Sequence, residues 1–317
     1  MTDLVPEVQK KNPLRAFALW AQRLHQWLME DDTLTTALSP PPPTAHIEPE
    51  PPQKAAIPPQ AKSAADGNWT ITRPALAEML WGESWHLPLG EHITSVMVRS
   101  FGLTKEMAVL DLAAGLGGSG RQIVAEFDSY VTGLETDAER AAHGNAALRG
   151  ALSRHLTLAH YVPTSFKAKQ RYDGVIANEL LYQIANKKAF VTEIAASLKD
   201  HGHVSWTDLV LQDDLHDKAI IQNWLAVEPA GSQPLLLSDV VKLWKALGFD
   251  VRVSEDRTSH YVDAVTTGLT QLIRSLEKEN IASSTKPVIT KEIEFWARRM
   301  AAFGAGLRYY RFYAFKS

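Results

Sequence analysis

Short runs of apolar and β-branched residues alternate along most of this chain with longer stretches whose apolar positions recur every three to four residues. The short runs are Met107 to Leu112, Tyr130 to Glu135, Leu156 to Tyr161, Tyr172 to Asn178 and Val204 to Leu211. Two more, Phe249 to Ser254 and Arg308 to Phe315, come near the end. Runs of roughly four to eight such residues between polar turns read as strands. Helical spacing fills the gaps, as in Lys187 to Leu198, and also marks Trp69 to Phe101. This alternation predicts an α/β fold, a doubly wound and mostly parallel sheet of seven strands with helices on both faces. Between the last two strands, Ser259 to Phe303 reads as a helical insertion. Its Leu269, Leu272, Ile273 and Leu276 suit either a pocket wall or ordinary core.

The regular pattern begins near residue 69, so the folded domain is expected over 69–317. Residues 39–68 are Pro-rich, with Pro40 to Pro43, Pro49, Pro51, Pro52, Pro58 and Pro59. Such a run lacks the donors for a hydrogen-bond ladder and reads as an extended linker. Ahead of it, residues 1–38 carry an amphipathic pattern. Asn12 and Pro13 suit a cap and first turn, and Leu14, Phe17, Trp20, Ala21, Leu24, Trp27 and Leu28 fall at helical spacing. A helix on this tether either folds back on the domain or uses residues 12–30 to grip a protein partner or a membrane surface.

The absence of cysteine removes disulfides, thiolate chemistry and cysteine-held zinc, and no other metal site is expected. A net charge of -3 with no basic stripe argues against nucleic acid as a partner. No apolar stretch approaches the roughly 18 residues of a membrane span, and the N-terminus lacks the basic-then-apolar pattern of a signal peptide. A cytoplasmic location is the expectation.

The chemistry concentrates at Val109 to Arg121, where a strand runs into a turn containing Gly115, Gly117 and Gly120 and then into a helix. Glycines there let a ligand approach the backbone beside the positive end of a helix. Glu135, twenty residues after Gly115, ends the second strand, where a carboxylate accepts ribose hydroxyls. The spacing also satisfies the dinucleotide fingerprint, so an NAD enzyme is an alternative. Asp111 at the first strand's end opposes it, because a carboxylate attracts an ammonium group and repels a pyrophosphate.

Asp111-Leu-Ala-Ala-Gly-Leu-Gly117 resembles the first motif of class I S-adenosylmethionine-dependent methyltransferases, and Gly133-Leu-Glu135-Thr136 resembles their second. Tyr172 to Tyr182, Leu198 to Asp208 and Leu247-Gly-Phe249 are similar to the segments around strands four, five and six. Leu80 to Trp85, Glu179, Thr207-Asp208 and Asp256 to Thr258 look like the small-molecule branch, with its sarcosine, phosphoethanolamine, tocopherol and ubiquinone-type enzymes. The resemblance implies a Rossmann-like fold with an antiparallel last strand, and S-adenosyl-L-methionine as cofactor. It places the cofactor against Asp111, Ala113, Gly115, Gly117, Glu135 and Asn178, under a lid that includes Trp81 and Gly82. Two positions depart from the pattern. Ala113 stands where glycine is common, and the carboxylate that usually follows the third strand to hold the adenine is absent. Tyr161, His160 or a main-chain group would substitute for it.

Ligands of open α/β sheets sit beyond the carboxyl ends of the strands. The substrate candidates there are Trp81, His86, Glu179, Tyr182, Asp208 and His260, with Gln183 beside them. Asp213, Asp214, His216 and Asp217 follow strand five, where aspartates also favour a helix start facing water. His201 and His203 are expected on a solvated turn. No side chain is identifiable as the catalytic group. The expected activity is methyl transfer to a small or lipid-like acceptor, an amine or a hydroxyl or quinol. The alternative is a weak or inactive methyltransferase fold that engages a partner or membrane through its N-terminal helix.

Overall fold

A computed structural model describes residues 71–213, 216–276 and 285–316. The expected N-terminal helix and Pro-rich linker lie outside the described residues, as do Trp69 and Asp214. The seven strands are β1 (Ala108–Asp111), β2 (Tyr130–Glu135), β3 (Leu156–His160), β4 (Tyr172–Asn178), β5 (Leu198–Leu211), β6 (Phe249–Asp256) and β7 (Leu307–Lys316). They form one sheet in the order β3-β2-β1-β4-β5-β7-β6. β1 runs parallel to β2, with Val109 opposite Val131, and to β4, with Leu110 opposite Val175. β7 lies antiparallel between β5 and β6, pairing Trp206 with Phe312 and Val251 with Ala314. The chain leaves β1 toward β2 and β3 and returns to its other side as β4. That reversal opens a crevice at the carboxyl ends of β1 and β4.

Among the described residues the helices are α1 (Arg73–Trp81), α2 (Gly90–Val98), α3 (Gly118–Phe127), α4 (Ala138–Ala146), α5 (Leu152–His155), α6 (Lys187–Ser197), α7 (Lys218–Leu225), α8 (Leu237–Ala246), α9 (Thr258–Leu276) and α10 (Lys286–Gly304). The helical signal before β1 divides into α1 and α2 because Gly82, at φ 99°, ends the first helix. Alternate strand residues face opposite layers. Val109 and Ile176 pack with Ile93, Met97 and Ile123 of α2 and α3, whereas Leu110 and Val175 meet α6 and α8 on the other face. There Trp206 stacks on Trp244, with centroids 3.9 Å apart. Both faces are buried, as a parallel sheet requires. A third cluster packs α1, α7, α9 and α10 over Leu209, Leu307 and Tyr309. In it Leu269, Leu272 and Leu276 are core, with Ile273 packed at its margin.

β5 starts at Leu198, six residues earlier than its apolar run suggests, across a register irregularity that accommodates His201 at φ 59°. His203 is a correction to the solvated-turn expectation. It is half-buried, stacks on Phe101 at 5.4 Å and shares a 2.8 Å hydrogen bond with the Tyr313 hydroxyl. Asp217 behaves as a capping residue, accepting from the Ala219 and Ile220 amides at the start of α7.

Candidate functional site

The turn after β1 is shaped by close approach. Gly115 and Gly117 have φ of 56° and 94°, a region that favours glycine, and a Cβ on Gly115 would stand 2.0 Å from His86 Nδ1. The segment after α1 is laid on this turn. The Ser84 carbonyl accepts the Gly118 amide at 3.0 Å, and the Trp85 ring covers Gly90 and Gly118. Ala113 is not among the residues with positive φ, so its methyl group is accommodated without strain.

Two strand-end carboxylates flank the turn. Asp111 is 1% exposed; its Oδ1 accepts the Ala113 amide at 3.1 Å, while Oδ2 has no hydrogen-bond partner. Burial pushes its carboxyl up to about 7. Glu135 is buried but fully engaged. Oε2 accepts the Gly115 amide at 2.7 Å, and Oε1 accepts the Asp137 amide at 2.9 Å and Arg140 Nη2 at 2.8 Å. Burial alone would raise its carboxyl, but Arg140 and the amide bonds hold it below the usual range.

Glu135, but not Asp111, lines a cavity of about 480 Å³ at the carboxyl ends of the central strands. One end is walled by Ala113, Glu135, Thr136, Asp137, Arg140 and Asn178. The other is walled by Glu179, Tyr182, Glu228, Phe295 and Arg299, with Leu87, Ile184 and Val227 adding apolar surface. At this second end Arg299, reaching in from α10, makes five hydrogen bonds. Nη1 donates to Glu179 Oε2 (2.5 Å) and the Tyr261 hydroxyl (2.7 Å), and Nη2 to the Tyr182 hydroxyl (3.0 Å) and Glu228 Oε1 (2.6 Å). Nε donates to the same Glu228 oxygen at 3.0 Å. The Phe295 ring lies 4.6 Å from the guanidinium. Tyr182 donates to Glu228 Oε2 at 2.7 Å, which leaves both Glu228 oxygens paired. Glu179 keeps one oxygen, Oε1, without a partner, and its backbone is held at φ 53°.

Of the residues expected at a site, the fold brings His86, Ala113, Glu135, Asn178, Glu179, Tyr182 and Gln183 to the cavity wall. Asp111, Gly115 and Gly117 support it from the adjoining turn. Burial and Arg140 drive the His86 ring down to about 3, so it is a neutral packing group on Gly115 at ordinary pH. Asn178 Oδ1 accepts the Thr207 hydroxyl and, at 3.3 Å, that of Tyr309. Tyr161 does not turn to the cavity, because its hydroxyl donates to the Leu112 carbonyl at 2.9 Å. Asp208 lies beneath the cavity, where it accepts the Tyr182 amide at 3.0 Å and fixes the turn after β4. Trp81 packs edge-on against Trp296 at 4.8 Å, off the wall. His260 is exposed, because α9 turns Tyr261, Val262 and Val265 inward instead. No group of three or more potential metal ligands gathers among the described residues.

Arg73, Arg140, Glu228, Phe295 and Arg299 belong to the wall without having been anticipated. One signal was available: Glu292 and Arg299 share the buried face of α10 with Ile289, Ile293, Trp296 and Met300. Charges on an apolar helix face require partners.

Residues 85–253, more than half of the chain, match the family described as methyltransferase domain. The sterol 24-C-methyltransferase of Neurospora crassa is 27% identical over 185 residues, covering 55% of this chain and 48% of that protein. An O-methyltransferase of Pyrenophora dematioidea is 26% identical over 121 residues, 37% of this chain and 44% of its own. The chain thus spans about half the length of these relatives. Among solved structures, phosphoethanolamine N-methyltransferase 2 of Haemonchus contortus in complex with S-adenosyl-L-methionine superposes with a TM-score of 0.62. That match has 18% identity and covers 77% of this chain and 57% of the other. A putative sarcosine dimethylglycine methyltransferase of Galdieria sulphuraria gives 0.61 at 16% identity, covering 72% and 85%. At such identities the likeness is one of fold. The matched segment contains the glycine turn, the Asp111, Glu135 and Glu179 carboxylates and the crevice between β1 and β4, and on that match the chain belongs to the methyltransferase-domain family.

Proposed function

We propose that the protein transfers a methyl group from S-adenosyl-L-methionine to a small or lipid-like acceptor. The observation that carries this reading is the unpartnered, buried Oδ2 of Asp111 beside the glycine turn. A buried carboxylate oxygen without a donor is costly, and an ammonium group satisfies it in hydrogen bonding and in charge. Asp111 would hold the amino-acid end of the cofactor. Gly115 and Gly117 would admit it close to the backbone, and Ala113 and Asn178 would line its path. Glu135 would accept the ribose hydroxyls by sharing or releasing Arg140. The cofactor supplies an electrophilic methyl group on sulfur, and the chain's contribution is to hold the acceptor in line and exclude water. Alignment of this kind accounts for about 7 to 11 kcal/mol of barrier in favourable cases, so a conspicuous catalytic base is not required. The same Asp111 charge opposes a dinucleotide pyrophosphate.

Calorimetric titration with S-adenosylmethionine, S-adenosylhomocysteine and NADH tests this. Binding of the first two and none of the third is expected; binding of NADH alone would overturn the assignment.

A further inference from the structure

The end of the cavity walled by Glu179, Glu228 and Arg299 is built to take a specific head group. Its chemistry is unusual for a pocket with so much apolar wall. Two carboxylates, Glu179 and Glu228, share a single cation, Arg299, and all three side chains are about 2% exposed or less. Glu228 is saturated by Arg299, Tyr182 and Trp224 Nε1. Glu179 is not. Arg299 reaches only its Oε2; the Tyr261 hydroxyl lies within hydrogen-bonding reach of the carboxylate and favours its ionised form, but no bond of good geometry is made to Oε1. The carboxylate is presented at the end of β4 by a left-handed backbone at φ 53°, a conformation that a non-glycine residue adopts at a cost. Burial, incompletely offset by Arg299 and aggravated by Glu228, raises its carboxyl above the ordinary range. The groups facing it are Arg299, Glu228, Tyr182, Tyr261 and Tyr309, and among these only Arg299 is a cation. With Glu179 ionised, the Glu179–Glu228–Arg299 cluster has one negative charge more than it has positive, and it shares the cavity wall with Phe295, Leu87, Ile184 and Val227 and with the cations Arg73 and Arg140.

Resting on the function proposed above, we propose that the methyl acceptor is an amine on an apolar body, bound as its ammonium ion by Glu179, which then takes its proton. An ammonium supplies what Oε1 lacks, an N–H donor and a positive charge. A protonated amine has no free electron pair, so it cannot act as nucleophile until it loses a proton. In the step assigned here one N–H bond breaks and the proton passes to Glu179 Oε1. The freed nitrogen pair forms the N–C bond to the transferred methyl group, and the C–S bonding pair stays on sulfur. Arg299 holds the carboxylate by its other oxygen and so acts as a positioning residue.

Probes of equal chain length separate this from other pocket chemistries. The protein saturated with S-adenosylhomocysteine is titrated at neutral pH with octylamine, octanol and octanoate, whose heads are cationic, neutral and anionic. Octylamine is expected to bind about ten- to a hundredfold more tightly than octanol, as a charge-assisted hydrogen bond implies, with octanoate weakest. Glu179→Gln keeps the side-chain shape, and it should bring octylamine down to the octanol level while S-adenosylhomocysteine still binds. Equal binding of the three probes, or preference for octanoate, overturns the proposal and leaves the cofactor reading standing. If S-adenosylhomocysteine does not bind, the cofactor reading falls, and the probe ranking on the cofactor-free protein still decides the head-group preference. Because that ranking is made on the unaltered protein, it does so even if the Glu179→Gln variant fails to fold.

Discussion

Replacing Arg299 with methionine removes the single cation from a buried group of two carboxylates and two phenols while keeping an unbranched apolar stem. Arg299 is 2% exposed and makes five hydrogen bonds, so neither carboxylate has a second cation to turn to. Breaking a buried ion pair from one side costs about 3–5 kcal/mol, because it strands the remaining charge. For a domain of this size, about 2–4 °C in Tm per kcal/mol translates that loss into a drop of roughly 6–20 °C. The loss should also depend on pH. Burial already raises the Glu179 carboxyl with Arg299 present, and deleting Arg299 raises it further. A carboxyl whose folded value lies above its unfolded one contributes stability that is present below the unfolded value, near 4.3, and lost as pH rises through the folded value. The gap between the native protein and the Arg299→Met variant should therefore widen as pH rises from the ordinary carboxylate range toward neutrality. Thermal unfolding followed by circular dichroism across that range measures it. Combining Arg299→Met with Glu179→Gln and Glu228→Gln should recover most of the loss, since charge-free replacements of buried pairs are often neutral. A gap under about 1 kcal/mol, or one that does not change with pH, would refute the account of this cluster as a stranded-charge problem solved by Arg299.

Other expectations concern the cofactor end. Glu135→Ala should weaken S-adenosylhomocysteine binding by about tenfold or more in calorimetry, and should also lower Tm because the Gly115 amide loses its acceptor. Asp111, with its carboxyl pushed up to about 7, must be ionised to hold an ammonium group. Affinity should therefore fall as pH drops from about 8 to about 6, and Asp111→Asn should bind weakly without that slope. In Gly115→Ala the new Cβ meets the His86 ring at 2.0 Å on a left-handed backbone, so cofactor binding should be lost and partly regained with His86→Ala. Trp244→Ala, which empties the stack on Trp206 far from the cavity, should cost about 3–5 kcal/mol in urea unfolding while leaving the cofactor affinity of the folded protein unchanged.

The amino-acid sequence determined the elements and one half of the site. Apolar runs of six to eight residues, such as those of the central strands, are stable only between helical layers, so alternation along the chain specified the architecture. The glycine turn with Asp111 and Glu135 was legible because a strand end, a turn and a helix start adjoin in sequence as they do in space. The tertiary structure decided the rest. Strand β7 is inserted between β5 and β6, a pairing that no local pattern encodes. Glu179 and Arg299 are 120 residues apart, yet form the ion pair that shapes the acceptor end. Arg140 takes an oxygen of Glu135 that sequence reasoning had left open, and Tyr161 and His260, plausible by position, turn elsewhere. Periodicity reports which face of an element is buried, whereas the partner of a buried charge is selected by the packing of remote elements.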